Sequence, residues 1–291
     1  MRTLAYTVLA LVAFAANSIL CRIALSRPAV DPATFSSIRL ISGAATLLLV
    51  TTMARGTGAR SSSSSSSSWI AAGVLAAYAV PFAFAYTQLS AGTGALILFG
   101  WVQVTMLVAA VASGERPHAA HWIGLSIALA GLVYLVLPGV SAPPPAGAAL
   151  MSVAGVGWGT YSLLGRGTKH PLAHTTANFV RAVPMGLAVS AVLFRQFHLE
   201  ASGAWLAVAS GSLASGVGYA LWYAALRGLS ATRAAIVQLA VPVIAAAGGV
   251  LFLGEGLSRR FLIATILIIG GIAMTIRSTE RPSQLAGQEL H

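Results

Sequence analysis

Charged residues and cysteine are scarce in this chain. Only 8% of its 291 residues are Asp, Glu, Lys or Arg, and 57% are hydrophobic, whereas soluble domains carry about 25% charged residues. A chain this apolar cannot cover a water-facing surface with polar groups, so its composition excludes a soluble protein and predicts a membrane protein. Because Cys21 is its only cysteine, an internal disulfide and a thiolate metal cluster are excluded as well.

Acidic residues are rarer than basic ones, and none lies inside an apolar run. A carboxylate at membrane depth is the usual proton carrier in pumps and the usual counter-charge for cationic drugs. Its absence argues against both and favours neutral or zwitterionic solutes, moved with weak ion coupling or none. The acids lie in predicted loops, at helix ends or in the tail: Asp31, Glu115, Glu200, Glu255, Glu280 and Glu289.

The excess of positive charge, +11 overall, has two interpretations. In a soluble protein it would suggest nucleic-acid binding. Here the Lys and Arg residues lie mostly in short connections between apolar runs, where they orient helices in the membrane, so no nucleic-acid partner is expected. The amino terminus, the alternate connections and the tail carry the larger share of these cations. This bias predicts that both termini are cytoplasmic.

Ten apolar runs follow one another, separated by short polar connections. Runs of about 18–25 residues match a bilayer core of about 30 Å at 1.5 Å per residue. They predict an all-α polytopic membrane protein with ten transmembrane helices. An alternative for the first run is a signal peptide ending at Ala13-Phe14-Ala15. The serines from Ser61 to Ser68 predict a flexible loop. The predicted helices are 4–25, 33–53, 69–89, 92–112, 119–137, 147–165, 173–193, 203–226, 231–253 and 258–277.

An internal repeat divides the chain into two halves. The segment from Leu89 to Glu115 aligns without gaps with the segment from Leu229 to Glu255, and the match continues to Gly131 and Gly271. Each half holds an odd number of helices, five, so the second must cross the membrane in the opposite sense. Inverted repeats place a substrate site near the midplane between the halves, where alternating access opens it to either side. The predicted domains are residues 1–140, residues 141–280 and a cytoplasmic tail, 281–291.

The second half carries the most specific sequence pattern, which consists of Gly157-Trp158-Gly159-Thr160-Tyr161-Ser162, Trp222-Tyr223-Ala-Ala-Leu226, Leu229-Ser-Ala-Thr-Arg-Ala234, Pro242 and Leu253-Gly-Glu255. With the repeat, this pattern resembles the EamA-type drug/metabolite transporter (DMT) family over nearly the whole chain, and within that family most resembles the YddG-type amino-acid exporters. The resemblance implies a ten-helix exporter of small metabolites, often amino acids, in the bacterial inner membrane. One departure is Val102, which stands where the family often has a proline equivalent to Pro242.

Polar and aromatic side chains near the middle of the predicted helices are the candidate substrate-binding residues. An unpaired polar group costs several kcal/mol in lipid, so amides there serve either as interhelical hydrogen-bond partners or as substrate contacts. Trp and Tyr normally prefer the membrane interfaces, so a midplane position favours a polar partner or a cavity. We predict a midplane cavity between the halves, lined by Asn17, Tyr78, Trp101, Trp158 and Gln238.

Two arginines, Arg39 and Arg181, lie inside predicted helices and have two possible roles. A structural arginine caps backbone carbonyls or extends its charged end to the membrane surface. A functional one contacts a substrate carboxylate or a partner in a gate. Both interpretations stay open at the level of sequence.

Signals for catalysis are weak. The pairs His118 and His121, and His170 and His174, have helical ligand spacing but no third ligand nearby, so no metal site is expected. Neither a Walker loop nor a G-x-S-x-G turn is present. The sequence therefore predicts a protein that is not an enzyme and has no cofactor. We expect a secondary transporter that exports small metabolites, amino acids including aromatic ones, with the lipid bilayer as its surroundings. The alternative is an intramembrane enzyme or a lipid-handling protein.

Overall fold

The computed structural model describes residues 2–27, 29–55, 69–114, 119–137, 139, 142–165, 168, 170–226, 228–229 and 237–285. Within these residues the chain forms ten longer helices and one 3₁₀ turn, Phe194–Gln196, and its only β-type pairing is an isolated bridge between Val30 and Leu199. The helices are α1 (Arg2–Ser26), α2 (Pro32–Arg55), α3 (Trp69–Tyr86), α4 (Ala91–Ala112), α5 (Ala119–Val136), α6 (Pro145–Leu164), α7 (Pro171–Val192), α8 (Ala201–Leu226), α9 (Ala240–Leu253) and α10 (Arg259–Leu285).

Most helix boundaries agree with the predicted runs to within a few residues. The break between α3 and α4 is set by Ser90, whose hydroxyl accepts a hydrogen bond from the Thr93 amide at 3.3 Å. This bond satisfies one of the amides that a helix start leaves unpaired. Residues 231–236, where the ninth helix was predicted to begin, lie outside the described residues. The prediction of an all-helical polytopic membrane protein is confirmed.

The outer surface of the helices is apolar. Large side chains such as Leu251 (77% exposed), Phe252 (72%) and Ile266 (71%) face outward. Soluble monomers rarely expose large continuous apolar patches, whereas lipid requires such a surface. Among the described residues, five helical spans are long and apolar enough to cross a membrane: Arg2–Ser26, Pro32–Met53, Trp69–Tyr86, Ala91–Ala112 and Ala201–Leu226.

The helices pack in a regular set of pairs. α1 contacts α3, α4, α8 and α9, while α2 contacts α3, α7 and α8. α6 lies against α3 and α4, α4 lies against α9, and α5 pairs with α10. Small residues permit this packing, as at Gly155, where an added Cβ would lie 2.6 Å from the Trp101 Cβ and 2.7 Å from the Leu98 carbonyl oxygen. Such close approach is typical of helices that associate in membranes.

Glycine also sets the contact between α5 and α10. An added Cβ on Gly271 of α10 would lie 2.7 Å from the Ala128 amide nitrogen of α5. An added Cβ on Gly131 of α5 would lie 2.7 Å from the Leu267 Cβ and 3.1 Å from the Ile268 amide nitrogen of α10. Each helix therefore touches the backbone of the other, which only a residue without a side chain allows. Gly131 and Gly271 are the residues to which the sequence repeat extends.

α8 changes its winding in the middle. Its segment Ser210–Val217 is π-helical, between the α-helical segments Ala201–Ala209 and Gly218–Leu226. π-helical turns inside α-helices occur frequently at functional sites. This segment packs against α1 and α2, and Gly211 lies against the Arg39 carbonyl and the Ser42 hydroxyl. The close approach buries polar side chains of α8 against α1 and α2.

Candidate functional site

A small cavity lies between α1, α2, α3, α4, α6 and α8. The volume of this cavity is about 20 Å³, which is room for about one water molecule. The cavity is therefore too small for a metabolite in this conformation. It is lined by Phe14, Asn17, Ser18, Arg39, Tyr78, Phe82, Leu98, Phe99, Trp158, Ala214, Ser215 and Tyr219.

The polar groups of the cavity form one hydrogen-bonded network. The Tyr78 hydroxyl accepts from the Asn17 Nδ2 at 3.3 Å and from the Arg39 Nη2 at 2.9 Å. The Asn17 Oδ1 accepts from the Ser210 hydroxyl at 2.7 Å, and the Arg39 Nε donates to the Ser215 hydroxyl at 3.4 Å. The network joins α1, α2, α3 and α8, and all five side chains are buried. In lipid, polar groups must be satisfied within the protein in this way.

Aromatic rings surround this network. The Trp158 ring centroid lies 5.1 Å from that of Tyr78 and 5.2 Å from that of Tyr219. Phe14 lies 6.3 Å from Trp158 and 5.9 Å from Tyr219, with its ring turned edge-on to both. Tilted and edge-to-face arrangements at these distances are favourable aromatic contacts. A cavity with aromatic walls and a few polar groups suits a solute that is partly apolar and partly polar.

Arg39 is the charged residue of the cavity. Its side chain is buried, and its guanidinium carbon lies 5.2 Å from the Tyr78 ring centroid and 4.8 Å from that of Phe82. Among the buried side-chain nitrogen and oxygen atoms that the structure describes, the Arg39 Nη1 is the one without a hydrogen-bond partner. Cation–π contacts offset part of the cost of burying a guanidinium, but they do not replace a hydrogen bond.

The structure brings together three of the five predicted site residues. Asn17, Tyr78 and Trp158 line the cavity. Trp101 instead lines a separate, more open and mostly apolar groove formed by α3, α4 and α6. Gln238 is half-buried just before α9 and is not among the residues that line the cavity.

Sequence reasoning did not select several residues of the cavity. Ser210 and Ser215 carried no signal for a role in binding, because serines in membrane helices commonly bond their own backbone, as Ser152 does with the Ala148 carbonyl. Phe14 was considered only as part of a possible cleavage motif. Arg39 was recognised as an intramembrane arginine, but its role was left open.

An ion pair joins α1 to the connection between α9 and α10. The Arg22 Nε donates to the Glu255 Oε1 at 3.1 Å, and the Arg22 Nη1 donates to the Tyr86 carbonyl at 2.9 Å. The Glu255 Oε2 accepts from the Ala91 amide at 2.8 Å. Gly254, at φ 65°, ends α9 in a left-handed turn that brings Glu255 to this position. We call these residues the Arg22–Glu255 clasp. It ties the end of α1 to the α3–α4 and α9–α10 connections.

Replacing Glu255 by glutamine is expected to lower the free energy of unfolding by about 1–2 kcal/mol, because a charge-assisted interaction at a mostly buried site is lost. Thermal unfolding of the purified protein measures the effect. The matched control is Glu200→Gln, because Glu200 is an exposed partner of His198 at 3.6 Å. Equal losses in the two variants would contradict a stabilising role for the clasp.

The histidines give no support to a metal site. The His174 Nδ1 lies 3.2 Å from the Asn178 Nδ2, which is a hydrogen-bonding distance. Within the described ranges, no group of three or more His, Cys, Asp or Glu side chains could hold a metal ion. His118 and the side chain of His121 lie outside what the structure describes.

An all-helical bundle with an apolar exterior and an internal polar and aromatic cavity has the architecture of a membrane transporter of small solutes. Comparison with known proteins agrees with this class. The sequence model of the EamA-like transporter family matches residues 145–277. The chain is 49% identical over 279 residues to the uncharacterized protein PA1977 of Pseudomonas aeruginosa, covering 94% of each chain. The chain belongs to the EamA-like transporter family, whose members are transporters and not enzymes.

Two more distant proteins are also similar to this chain. The uncharacterized transporter YwfM of Bacillus subtilis is 25% identical over 277 residues, which is 90% of each chain. A crystal structure of another protein has the same fold, with a TM-score of 0.65 and 21% sequence identity over 97% of this chain and 98% of that chain. The fold therefore extends over the whole bundle, beyond the residues that the family model covers.

Proposed function

We propose that this transporter is a secondary exporter of small metabolites, in particular amino acids including aromatic ones, and that it works by alternating access in the bacterial inner membrane. The observation that carries the proposal is the buried network of Asn17, Tyr78 and Arg39 inside aromatic walls. Polar groups that fix orientation within an apolar pocket are typical of small-molecule sites. The closeness in sequence pattern to the YddG-type exporters favours amino acids as cargo.

The mechanism we propose uses two inverted halves, residues 1–140 and 141–280. The main helix contacts support it, because most of them are preserved when each helix is exchanged for the one five places away. α2 packs on α7, α4 on α9 and α5 on α10, while the contact of α1 with α8 corresponds to that of α6 with α3. The matched glycines of α5 and α10 agree with the same exchange. Two halves of this kind can adopt each other's arrangement and so open a central site to either side.

The proposed binding residues are Asn17, Tyr78 and Trp158, which line the cavity. Trp101 and Gln238 belong to the proposed site only in a second conformation, in which the cavity extends towards α4 and α9. The Arg22–Glu255 clasp then acts as the closure at the periplasmic end, since the proposed orientation places the end of α1 there.

Flux measurements in proteoliposomes test the proposed function. We expect the wild-type protein to exchange radiolabelled L-phenylalanine, and Trp158→Phe to slow this exchange by about tenfold, because the smaller ring leaves part of the pocket unfilled. Trp205→Phe is the matched control, since Trp205 is 74% exposed on the outer face of α8. Absence of amino-acid flux in the wild type, with a folded protein, would refute the proposal.

The proposed orientation has both termini in the cytoplasm. Green fluorescent protein fused after the last residue is expected to fluoresce, and alkaline phosphatase at the same place is expected to be inactive. Both reporters should reverse when they are inserted after Gly256, in the connection between α9 and α10. Active phosphatase at the carboxyl terminus would overturn the orientation.

A further inference from the structure

Arg39 is buried but incompletely satisfied. It is 2% exposed, its Nη2 donates to the Tyr78 hydroxyl at 2.9 Å, and its Nε donates to the Ser215 hydroxyl at 3.4 Å. The Nη1 has no partner. A buried charged donor without a partner is costly, and a purely structural arginine would be expected to use all of its donors.

No counter-ion accompanies Arg39 among the described residues. The acids whose side chains the structure describes lie at or next to helix ends: Asp31 accepts from the amides of Ala33 and Thr34, and Glu255 pairs with Arg22. Glu200 lies beside His198. Helices α1 to α9 contain no acid at all. The guanidinium thus holds a positive charge at a cavity that offers it no negative group.

The second intramembrane arginine has a different setting. Arg181 of α7 is half-buried, and its guanidinium carbon lies 5.9 Å from the centroid of the Trp69 ring. It lines an open groove with residues of α2 and α7, away from the network of Asn17 and Tyr78. The two arginines therefore differ, although each lies in the second helix of its half.

We infer that Arg39 binds the carboxylate of the transported solute. A carboxylate accepts bidentate hydrogen bonds from a guanidinium and neutralises its charge. The apolar or aromatic part of the solute would pack against Trp158, Phe14 and Tyr219, which form walls of the cavity. Because no acidic side chain lines the cavity, an amino group on the solute would find no negatively charged partner there. The substrate class is then a monocarboxylate with an apolar body, with or without an amino group. This inference rests on the cavity of the proposed function.

Four aromatic probes separate the contributions of the two charged groups of an amino acid. They are L-phenylalanine, 3-phenylpropanoate, L-phenylalaninamide and phenethylamine, and binding is measured as the shift in melting temperature of the purified wild-type protein. The first two carry a carboxylate and should stabilise the protein at concentrations about 10- to 100-fold lower than the last two, which lack it. Equal effects of all four probes, or no effect of any, would overturn the inference. This comparison needs no variant and does not depend on the folding of one.

Variants then assign the selectivity to a residue. In Arg39→Gln the preference for the carboxylate probes should disappear. Arg39→Lys keeps the positive charge but lacks the planar guanidinium that donates two parallel hydrogen bonds, so it should retain only part of the preference. Arg181→Gln removes the same charge outside the cavity and should leave the preference intact. Undiminished carboxylate preference in Arg39→Gln would overturn the assignment.

The flux assay distinguishes this inference from the proposed function. Wild-type flux of L-phenylalanine with an unchanged probe preference in Arg39→Gln would reject the inference and leave the exporter proposal standing. Carboxylate-selective binding through Arg39 without flux of any amino acid would do the reverse.

Discussion

Gly271→Leu is expected to lower the free energy of unfolding by about 2 kcal/mol or more, because it forces a side chain into a well-packed helix contact. The added Cβ alone would lie 2.7 Å from the Ala128 amide nitrogen, and backbone cannot move aside as a flexible side chain can. α5 and α10 would have to move apart, and the close packing on which the association of membrane helices depends would be lost.

The neighbouring residue supplies the control for this experiment. An added Cβ on Gly270 meets no other atom within 4 Å, so Gly270→Leu should leave stability within about 0.5 kcal/mol of the wild type. Thermal and chemical unfolding of both variants in the same detergent gives the comparison. If the two variants are equally stable, the α5–α10 contact is not the close backbone contact described above.

Tyr78→Phe is expected to cost about 2–4 kcal/mol of folding free energy, although the ring is kept. The hydroxyl accepts from the Arg39 Nη2 and from the Asn17 Nδ2. Its removal leaves a charged donor and an amide donor unpaired in the centre of the bundle, where the penalty is that of an unsatisfied buried group.

Tyr86→Phe is the matched control for Tyr78→Phe. The Tyr86 hydroxyl is buried as well, but it donates a neutral hydrogen bond to the Ala91 carbonyl at 3.3 Å, so the loss should be about 1 kcal/mol. In an Arg39→Gln background the effect of Tyr78→Phe should shrink, because the charge that needs the hydroxyl is gone. A Tyr78→Phe variant as stable as Tyr86→Phe would contradict the central role of this hydroxyl.

The helices themselves were predictable because the length of an apolar run is a property of sequence alone. In α1 and α3, runs that fit a bilayer became helices with nearly the same ends. Asn17, Tyr78 and Trp158 were predictable as residues that line an internal cavity for a related reason, since polar and large aromatic groups at mid-span need an internal partner.

The direction in which a side chain points was much less predictable. Helices that are apolar all round give no periodic signal for the face that meets a cavity. Trp101 is near mid-span but faces the groove of α3, α4 and α6. The segment Ser210–Val217 of α8 is π-helical, so the relative orientation of Ser210 and Ser215 within it could not be predicted from α-helical spacing. The ion pair of Glu255 with Arg22 could not be predicted either, because the two residues are far apart in the sequence.

The carboxylate selectivity inferred for Arg39 has a consequence for the electrical work of the proposed export. An anion that leaves a cell with a negative interior moves with the membrane potential, which supplies about 2.3 kcal/mol per elementary charge per 100 mV. The guanidinium stays with the protein, so a cargo with only a carboxylate gains this energy in full, whereas a zwitterion gains none. In the proposed export of such an anionic cargo, the membrane voltage would itself be a driving force, and no acidic side chain within α1 to α9 would be required to carry a proton in exchange.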